Sequence, residues 1–323
     1  MNIIELIYFM FQQSMFFMIP LLIVALGGMF SERSGIVNIA LEGKMVMGAF
    51  AGVFIITTFQ NPDPNVMDQG LLLLALLAAM LTGMVMALLH AFASINLKAN
   101  QIISGIAINM FAPAFAIYIA IFVFNTQHIP FLNQFRIVSV PFLGSIPVLG
   151  PLFFQGVYIT TYLGFLICAA SAFVLYKTKF GLRLRACGEH PQAADSVGVN
   201  VVGIRYAGVL ISGALAGMGG LIWIVPISNS FGGSVAGYGF LALAVLIFGA
   251  WKPMRILFAA FFFGILQAIA SSFTGIPFLR DLGIPSNFYQ MLPYIATLVF
   301  LAFTSKNTQA PKAVGQPYDK GKR

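Results

Sequence analysis

The residues able to do chemistry in this chain sit in three polar segments set among long apolar runs. The first is Ser31–Lys44, where Glu32, Arg33, Asn38, Glu42 and Lys44 lie in or beside an apolar run. An ionised side chain at the centre of a bilayer costs roughly 2.5–3.5 kcal/mol, so Glu42 and Lys44 must face protein, water or each other. Such groups can line a solute pathway, or Glu42 or Lys44 can serve as the proton or sodium partner of an ion-coupled secondary transporter. The same residues read equally well as a helix start at the membrane interface. Glu32 and Arg33 then lie among headgroups, and Asn38 and Glu42 bond neighbouring helices.

The second segment is the polar block 177–205. Lys177, Lys179, Arg183 and Arg185 crowd its first half. Pro191 suits the first position of a helix, with Glu189 or His190 before it and Gly198 just past its end. Ala193, Ala194 and Val197 share an apolar strip at helical spacing, with Glu189 and Asp195 as flanking charges. Lys177 and Lys179 read as orientation charges. The 183–198 core asks for more, because orientation needs charge and not a capped helix. A short helix framed by arginines fits a groove on another protein.

The third is the polar rim Ser228, Asn229, Ser230, Phe231 and Tyr238, with Trp223 before it. An aromatic face beside amide and hydroxyl groups suits a flat, hydroxyl-bearing solute such as a nucleoside. An aromatic belt at a membrane interface explains it more simply. Asn109, Gln101, Gln267 and Gln290 read first as hydrogen-bonding glue between helices. The candidate pathway set is therefore Asn38, Glu42, Asn109, Asn229 and Phe231. Enzyme signatures are absent: there is no phosphate-binding loop ending in Gly-Lys-Ser/Thr, no HExxH and no GxSxG. His90, His128 and His190 are scattered, and Cys168 and Cys187 show neither disulfide nor metal spacing. No catalytic residue and no metal site is expected.

These segments must be held by membrane helices. Apolar residues make up 59% of the 323 and charged residues 8%, and the mean hydropathy is +0.93. No single soluble core could bury that much apolar surface, so lipid is the solvent. The apolar runs are continuous, not alternating, which excludes a β-barrel. The formal charge of +8 does not point to nucleic acid, because the basic residues fall in inter-helix loops and the tail. The N-terminal run lacks a short cleavable pattern with a basic leader and is expected to stay as an anchor.

Runs long enough to span are Ile4–Phe30, Ile36–Phe59, Leu71–Ile95, Ile102–Phe124, Val157–Tyr176, Ala207–Ile227, Ile256–Phe273 and Phe288–Phe303. Tyr238–Ala250 is too short and ends in Trp251-Lys252-Pro253, which predicts a short or broken helix. The expected fold is an all-α polytopic transmembrane bundle of eight to ten crossings. Lys/Arg asymmetry puts the 177–205 loop, Lys98, the Lys252/Arg255 turn and the C-terminus in the cytoplasm. The Asp63/Asp68 link and the Asn125–Gln155 link then fall outside. Counting back puts the N-terminus outside, unless a broken crossing near Ser31–Lys44 reverses it. The segments SERSGIVNIALEGKMVMGAFAG and SNSFGGSVAGYGFLALAVLIFGAW echo each other, each running from polar Gly-bearing sequence into a small-residue helix. That pairing points to two broken-helix repeats or to chance. The chain divides into a membrane domain, 1–305, and a basic cytoplasmic tail, 306–323.

GLRLRACGEHPQAADSVGVNVVGIRYAGVLISGALAGMGG resembles the coupling-loop region of ATP-binding-cassette importer permeases of the branched-chain amino acid and simple-sugar type. The matching core is Gly181, Arg183, Arg185, Ala186, Gly188, Glu189, Ala193, Ala194, Asp195 and Gly198. ALGGMFSERSGIVNIALEGKMVMGAFAG is similar to the nucleoside-importer branch of that family, at Gly27, Gly28, Ser31, Glu32, Arg33, Gly35, Val37, Asn38, Leu41, Glu42 and Gly43. Lys44 and Cys187 depart from the usual pattern, which has apolar residues there.

The resemblance implies a multi-pass subunit of the bacterial plasma membrane. It implies as partners a cytoplasmic ATPase, a second non-identical permease and an extracytoplasmic solute-binding lipoprotein. ATP and magnesium would be bound by the ATPase, with no cofactor on this chain. Arg183, Arg185, Glu189, Asp195 and Gly198 would form the ATPase-coupling edge, with Ala193 and Ala194 packed close against it. Nucleosides are the expected solute; simple sugars and branched-chain amino acids are the alternatives within the class.

Overall fold

The computed structural model describes residues 3–61, 63, 67–276, 279, 281, 283–304 and 310–319. Its helices are α1 (Ile3–Arg33), α2 (Leu41–Phe59), α3 (Gln69–Ala91), α4 (Gln101–Phe124), α5 (Ile159–Lys177), α6 (Lys179–Glu189), α7 (Pro191–Ser196), α8 (Val201–Ile227), α9 (Tyr238–Phe248), α10 (Pro253–Ser272) and α11 (Ser286–Thr304). Seven of the described helices are long and apolar enough to cross a membrane, and α9 is a shorter apolar one. The chain is an all-α polytopic bundle.

Helix starts follow local chemistry. The Asp68 carboxylate accepts from Leu71 N at the head of α3, Asn100 from Ile102 N on α4, and Asn200 from Gly203 N on α8. Each satisfies a main-chain donor left open by the first turn. The core sits around α1 and α8, which are buried over most of their length. Small residues let α8 come close to α2 and α3. A Cβ on Gly48 would collide with the Gly217 main chain, and one on Gly213 with Ala87 and Gly83. Such contacts drive helix association where lipid gives no hydrophobic force.

The direction of α1 is fixed at both ends. Gln12 Nε2 donates to Pro151 O at 2.6 Å in the 125–157 link, and Arg33 Nη1 lies 3.8 Å from Glu189 Oε1 at the basic end. The described N-terminal end of α1 therefore lies on the outer side. The run Ile36–Phe59 is not one helix. Residues 34–40 are irregular, and α2 begins only at Leu41. The irregular stretch carries Gly35 at φ +97°, a left-handed position that glycine takes without a Cβ clash.

The two echoing segments form a matched pair. Helix α1 runs inward, residues 34–40 turn back, and α2 runs outward. Helix α8 runs outward, residues 228–237 turn back, and α9 runs inward to Trp251. The heads of α2 and α9 meet inside the bundle, where Glu42 accepts from Gly237 N and Gly239 N. Depth follows from α4. Gly43 N is held by Asn109 Oδ1 at 2.8 Å, and Asn109 lies eight residues beyond Gln101. At 1.5 Å per residue that is about 12 Å from the inner end of α4. Both broken helices thus start well within the membrane.

On the outer side the 125–157 link covers the second re-entrant stretch. Strand β1 (Ile129–Pro130) pairs antiparallel with β4 (Ser230–Phe231), and β2 (Ile137–Ser139) with β3 (Gln155–Val157). Asn133 adds bonds to Tyr158 Oη and Val225 O.

Candidate functional site: the meeting of the broken helices and the cytoplasmic loop

Two regions carry the functional side chains. At the first, the opposed heads of α2 and α9, Glu42 holds Gly237 N at 2.9 Å and Gly239 N at 2.6 Å through separate carboxylate oxygens. It thereby caps α9 and meets the positive end of that helix's dipole. Asn109 does the same for α2. Its Oδ1 accepts from Gly43 N, while its Nδ2 donates to Ile39 O at 2.9 Å.

Asn38 and Lys44 form a separate, closed cluster. Both are 0% exposed. Lys44 Nζ donates to Asn38 Oδ1 at 2.6 Å, and Asn38 Nδ2 donates to Ser212 Oγ at 2.6 Å. Nearby, His90 joins Val37 O to Ser104 Oγ through its two ring nitrogens. Lys44 and Glu42 therefore serve different partners. Asn38 uses its amide inside the protein, tying the re-entrant stretch to α8. Asn229 is exposed and accepts Phe131 N through its carbonyl, whereas Phe231 is 1% exposed and packs against Phe50. The five candidate pathway residues are thus not equivalent: Glu42, Asn109 and Asn229 have exposed or half-buried side chains, while Asn38 and Phe231 are sealed.

The inner end of α9 is anchored as firmly as its head. Ala250 and Trp251 both take positive φ, +48° and +54°. Left-handed non-glycine residues cost about 1–3 kcal/mol each and persist only when neighbours hold them. Here Trp251 Nε1 donates to Glu32 Oε2 at 2.6 Å, and Trp251 O accepts from Arg33 Nη2 at 3.1 Å. Glu32 and Arg33 thus bind protein, not headgroups.

The second region is the cytoplasmic loop. Only Thr178, His190 and residues 197–200 between α5 and α8 are non-helical. Pro191 opens α7, and Gly198 follows its end at φ +81°. The basic half of the loop is itself a helix, α6, capped where Thr178 Oγ1 accepts from Gly181 N. Its buried side is Gly181, Leu184, Cys187 and Gly188, so Arg183 faces out. Arg185 lies over the Tyr176 ring, Glu189 pairs with Arg33, and Asp195 faces the Tyr318 hydroxyl. Ala193 is exposed, but Ala194 is 4% exposed and packs with Cys187 and Val201. Consecutive helical positions point about 100° apart, and here Ala194 turns into the core while Ala193 stays on the surface. Val197, 77% exposed, joins Ala193 on the outer surface. Residues 201–205 belong to α8, and Arg205 is 1% exposed.

Sequence reasoning missed the packing of the tail. Residues 310–319 lie against the inner end of the bundle: Ala313 N donates to Gly188 O at 2.8 Å and Gly315 N to Gly35 O at 3.1 Å. Arg205 Nη1 donates to Gln316 O, its guanidinium lies over the Tyr318 ring, and Lys98 pairs with Asp319 at 3.3 Å. Lys306, Lys320, Lys322 and Arg323, expected in a basic tail, lie outside the described residues. Burial pushes the Cys187 thiol up from its ordinary pKa, with nearby Arg205 opposing that in part.

The geometry is that of a transport subunit: broken helices meeting at membrane depth, and a helical loop on the cytoplasmic side. Comparison with known proteins agrees. Residues 10–301 match the family described as branched-chain amino acid transport system / permease component. The chain is 42% identical over 327 residues to the guanosine ABC transporter permease protein NupQ of Bacillus subtilis (strain 168), covering 100% of each chain. It is 39% identical, again over 100% of each chain, to the nucleoside ABC transporter permease protein NupC of Lactococcus lactis subsp. cremoris (strain MG1363). NupB of the same organism, also a nucleoside ABC transporter permease protein, is 24% identical over 88% of this chain and 76% of its own. No solved structure matches significantly. The match takes in nearly the whole chain, and this multi-pass membrane chain belongs to the permease-component family of branched-chain amino acid transport systems.

Proposed function

We propose that this chain is a permease subunit of an ATP-driven importer for nucleosides in a bacterial plasma membrane. The observation that carries the reading is the end-to-end likeness to guanosine and nucleoside permeases. The occurrence of two such relatives in one organism, NupC and NupB, supports a second, non-identical permease as partner. A cytoplasmic ATPase grips the outer surface of α6 and α7 at Arg183, Ala193, Val197 and Gly198. It binds the ATP and magnesium, since this chain offers no phosphate-binding loop. An extracytoplasmic lipoprotein delivers solute at the outer side, where the 125–157 link covers residues 228–231. Closure of the ATPase moves α6 and α7. The Glu189–Arg33 pair and the tail contacts at Gly188 and Gly35 carry that motion to α1 and to the re-entrant stretch before α2.

The test is competition for uptake. Cells carrying the complete system are given labelled guanosine, with unlabelled nucleosides, glucose or leucine in excess. Nucleosides should suppress uptake while glucose and leucine leave it unchanged. Suppression by a sugar or an amino acid, and by no nucleoside, contradicts the substrate assignment.

A further inference from the structure

The stretch before α9 is irregular, lies deep in the membrane, and is open on the surface of this chain. Ser234 and Ala236 are exposed, Phe240 is 51% exposed, and Gly237 has nothing within 4 Å of where a Cβ would stand. Its depth is set by Gly237 and Gly239, which bond Glu42, one residue from the Gly43–Asn109 contact. Lipid cannot satisfy irregular main chain, so such a segment at this depth must be buried in protein or face water. Its side chains favour water. Ser234 is a hydroxyl, Glu42 is only half-buried and carries a carboxylate, and the left-handed Gly237 leaves open space beside them.

We propose that Glu42, Ser234, Gly237 and Phe240 form the solute-contacting wall of the aqueous pathway, on the outer face of this chain, and that they bind an uncharged solute bearing a flat ring and hydrogen-bond donors. The Glu42 carboxylate accepts from the main-chain N–H groups of Gly237, Gly239 and Phe240 and, with about four lone-pair sites, keeps acceptor capacity for one solute hydroxyl or amine. Phe240 lies one helical turn beyond Gly237 and offers its ring for stacking, which tolerates any base. The wall is a site of weak, transient contacts, as passage requires. The solute class rests on the nucleoside reading above; the location of the wall does not.

The test uses the assembled complex in liposomes, with Cys168 and Cys187 replaced by Ser and single cysteines introduced as Ser234→Cys or Phe240→Cys. A membrane-impermeant methanethiosulfonate is the probe. Leu81→Cys, at a 61% exposed position in the middle of α3, is the comparison. The expected result is modification at 234 and 240 in at least one nucleotide state, slowed severalfold by guanosine, with 81 unmodified. Protection by glucose or leucine and by no nucleoside keeps the wall and overturns the nucleoside reading. No modification in any state, or modification that no transported solute slows, overturns the wall. Glu42→Gln gives a second readout. Loss of one charge-assisted contact should raise the KM for guanosine about tenfold with kcat little changed. An unchanged KM in an assembled, active complex contradicts the role of Glu42.

Discussion

The main-chain N–H of Ala313 donates to the carbonyl of Gly188 at 2.8 Å, across 125 residues of sequence, and joins the C-terminal segment to the end of α6, the first helix of the cytoplasmic loop. Gly188 is small by necessity. A Cβ there would collide with Arg33 O and stand 3.3 Å from Pro311. The tail therefore rests where α1 and α6 meet, and it seals Arg205 beneath Gln316 and Tyr318.

Removal of residues 310–323 should destabilise the inner end of the subunit. The buried Arg205 guanidinium loses its Gln316 acceptor, and its Nε and Nη2 already lack one. A hydrogen bond to a charged group contributes about 1.5–3 kcal/mol net of the water that replaces it. The thermal midpoint of the purified complex should fall, and ATP hydrolysis should persist with weaker coupling to uptake. A complex of unchanged midpoint and unchanged coupling would show that the tail is dispensable.

Ala193 and Ala194 should respond differently to bulk. Ala193→Trp enlarges an exposed position, so the subunit should fold and insert normally while solute-stimulated ATP hydrolysis and uptake are lost. Ala194→Leu overfills a packed position against Cys187 and Val201, which costs about 1–3 kcal/mol. It should lower the yield of folded subunit itself. Measuring subunit stability beside ATPase co-purification separates the two. Normal uptake in Ala193→Trp would falsify docking on this surface.

The Asn38–Lys44 pair is expected to behave as a structural unit. Asn38→Ala leaves the 0% exposed Lys44 Nζ without its acceptor, a loss of about 1–3 kcal/mol for an unsatisfied buried group. Replacing both, as Asn38→Leu with Lys44→Met, removes donor and acceptor together, so the double variant should be more stable than the sum of the single losses. Denaturant unfolding of the unsubstituted protein, Asn38→Leu, Lys44→Met and the double variant measures the coupling. Strict additivity would contradict a shared role.

Cys187 should be unreactive in the folded subunit. Its thiol is buried and held above its ordinary pKa by desolvation, so the thiolate fraction near neutral pH is below that of a free cysteine. Iodoacetamide at pH 8 should label it only after unfolding or tail removal. Rapid labelling of the intact subunit would show that the loop opens away from the core.

Much of this was legible in the residues. Seven long apolar runs gave helices long and apolar enough to span, because hydropathy and length are written in the residues, and Trp251-Lys252-Pro253 did end a short helix. Pro191 and Gly198 marked α7 because proline fixes φ for a first turn and glycine takes the left-handed position past a helix end without a Cβ clash. Glu42 was recognised as a charge needing a partner, but that partner is the main chain of Gly237 and Gly239, which sequence cannot show. The break at 34–40 was legible only as one alternative, a broken crossing near Ser31–Lys44, because Ile36 and Val37 look helical by hydropathy alone. The folded tail was invisible for the opposite reason: Pro311, Ala313 and Gly315 read as a solvated terminus, and their contacts at Gly188 and Gly35 lie more than 100 residues away. Burial of Ala194 beside exposed Ala193 required knowing which way α7 faces.

The driving force for transport tests the account most directly. Uptake of labelled guanosine should be measured in liposomes holding this chain with its ATPase and partner permease, the binding protein supplied on the opposite side. Uptake should require ATP on the ATPase side and should survive collapse of proton and sodium gradients. Uptake driven by either gradient without ATP would contradict an ATP-powered permease and favour ion coupling through Glu42 or Lys44.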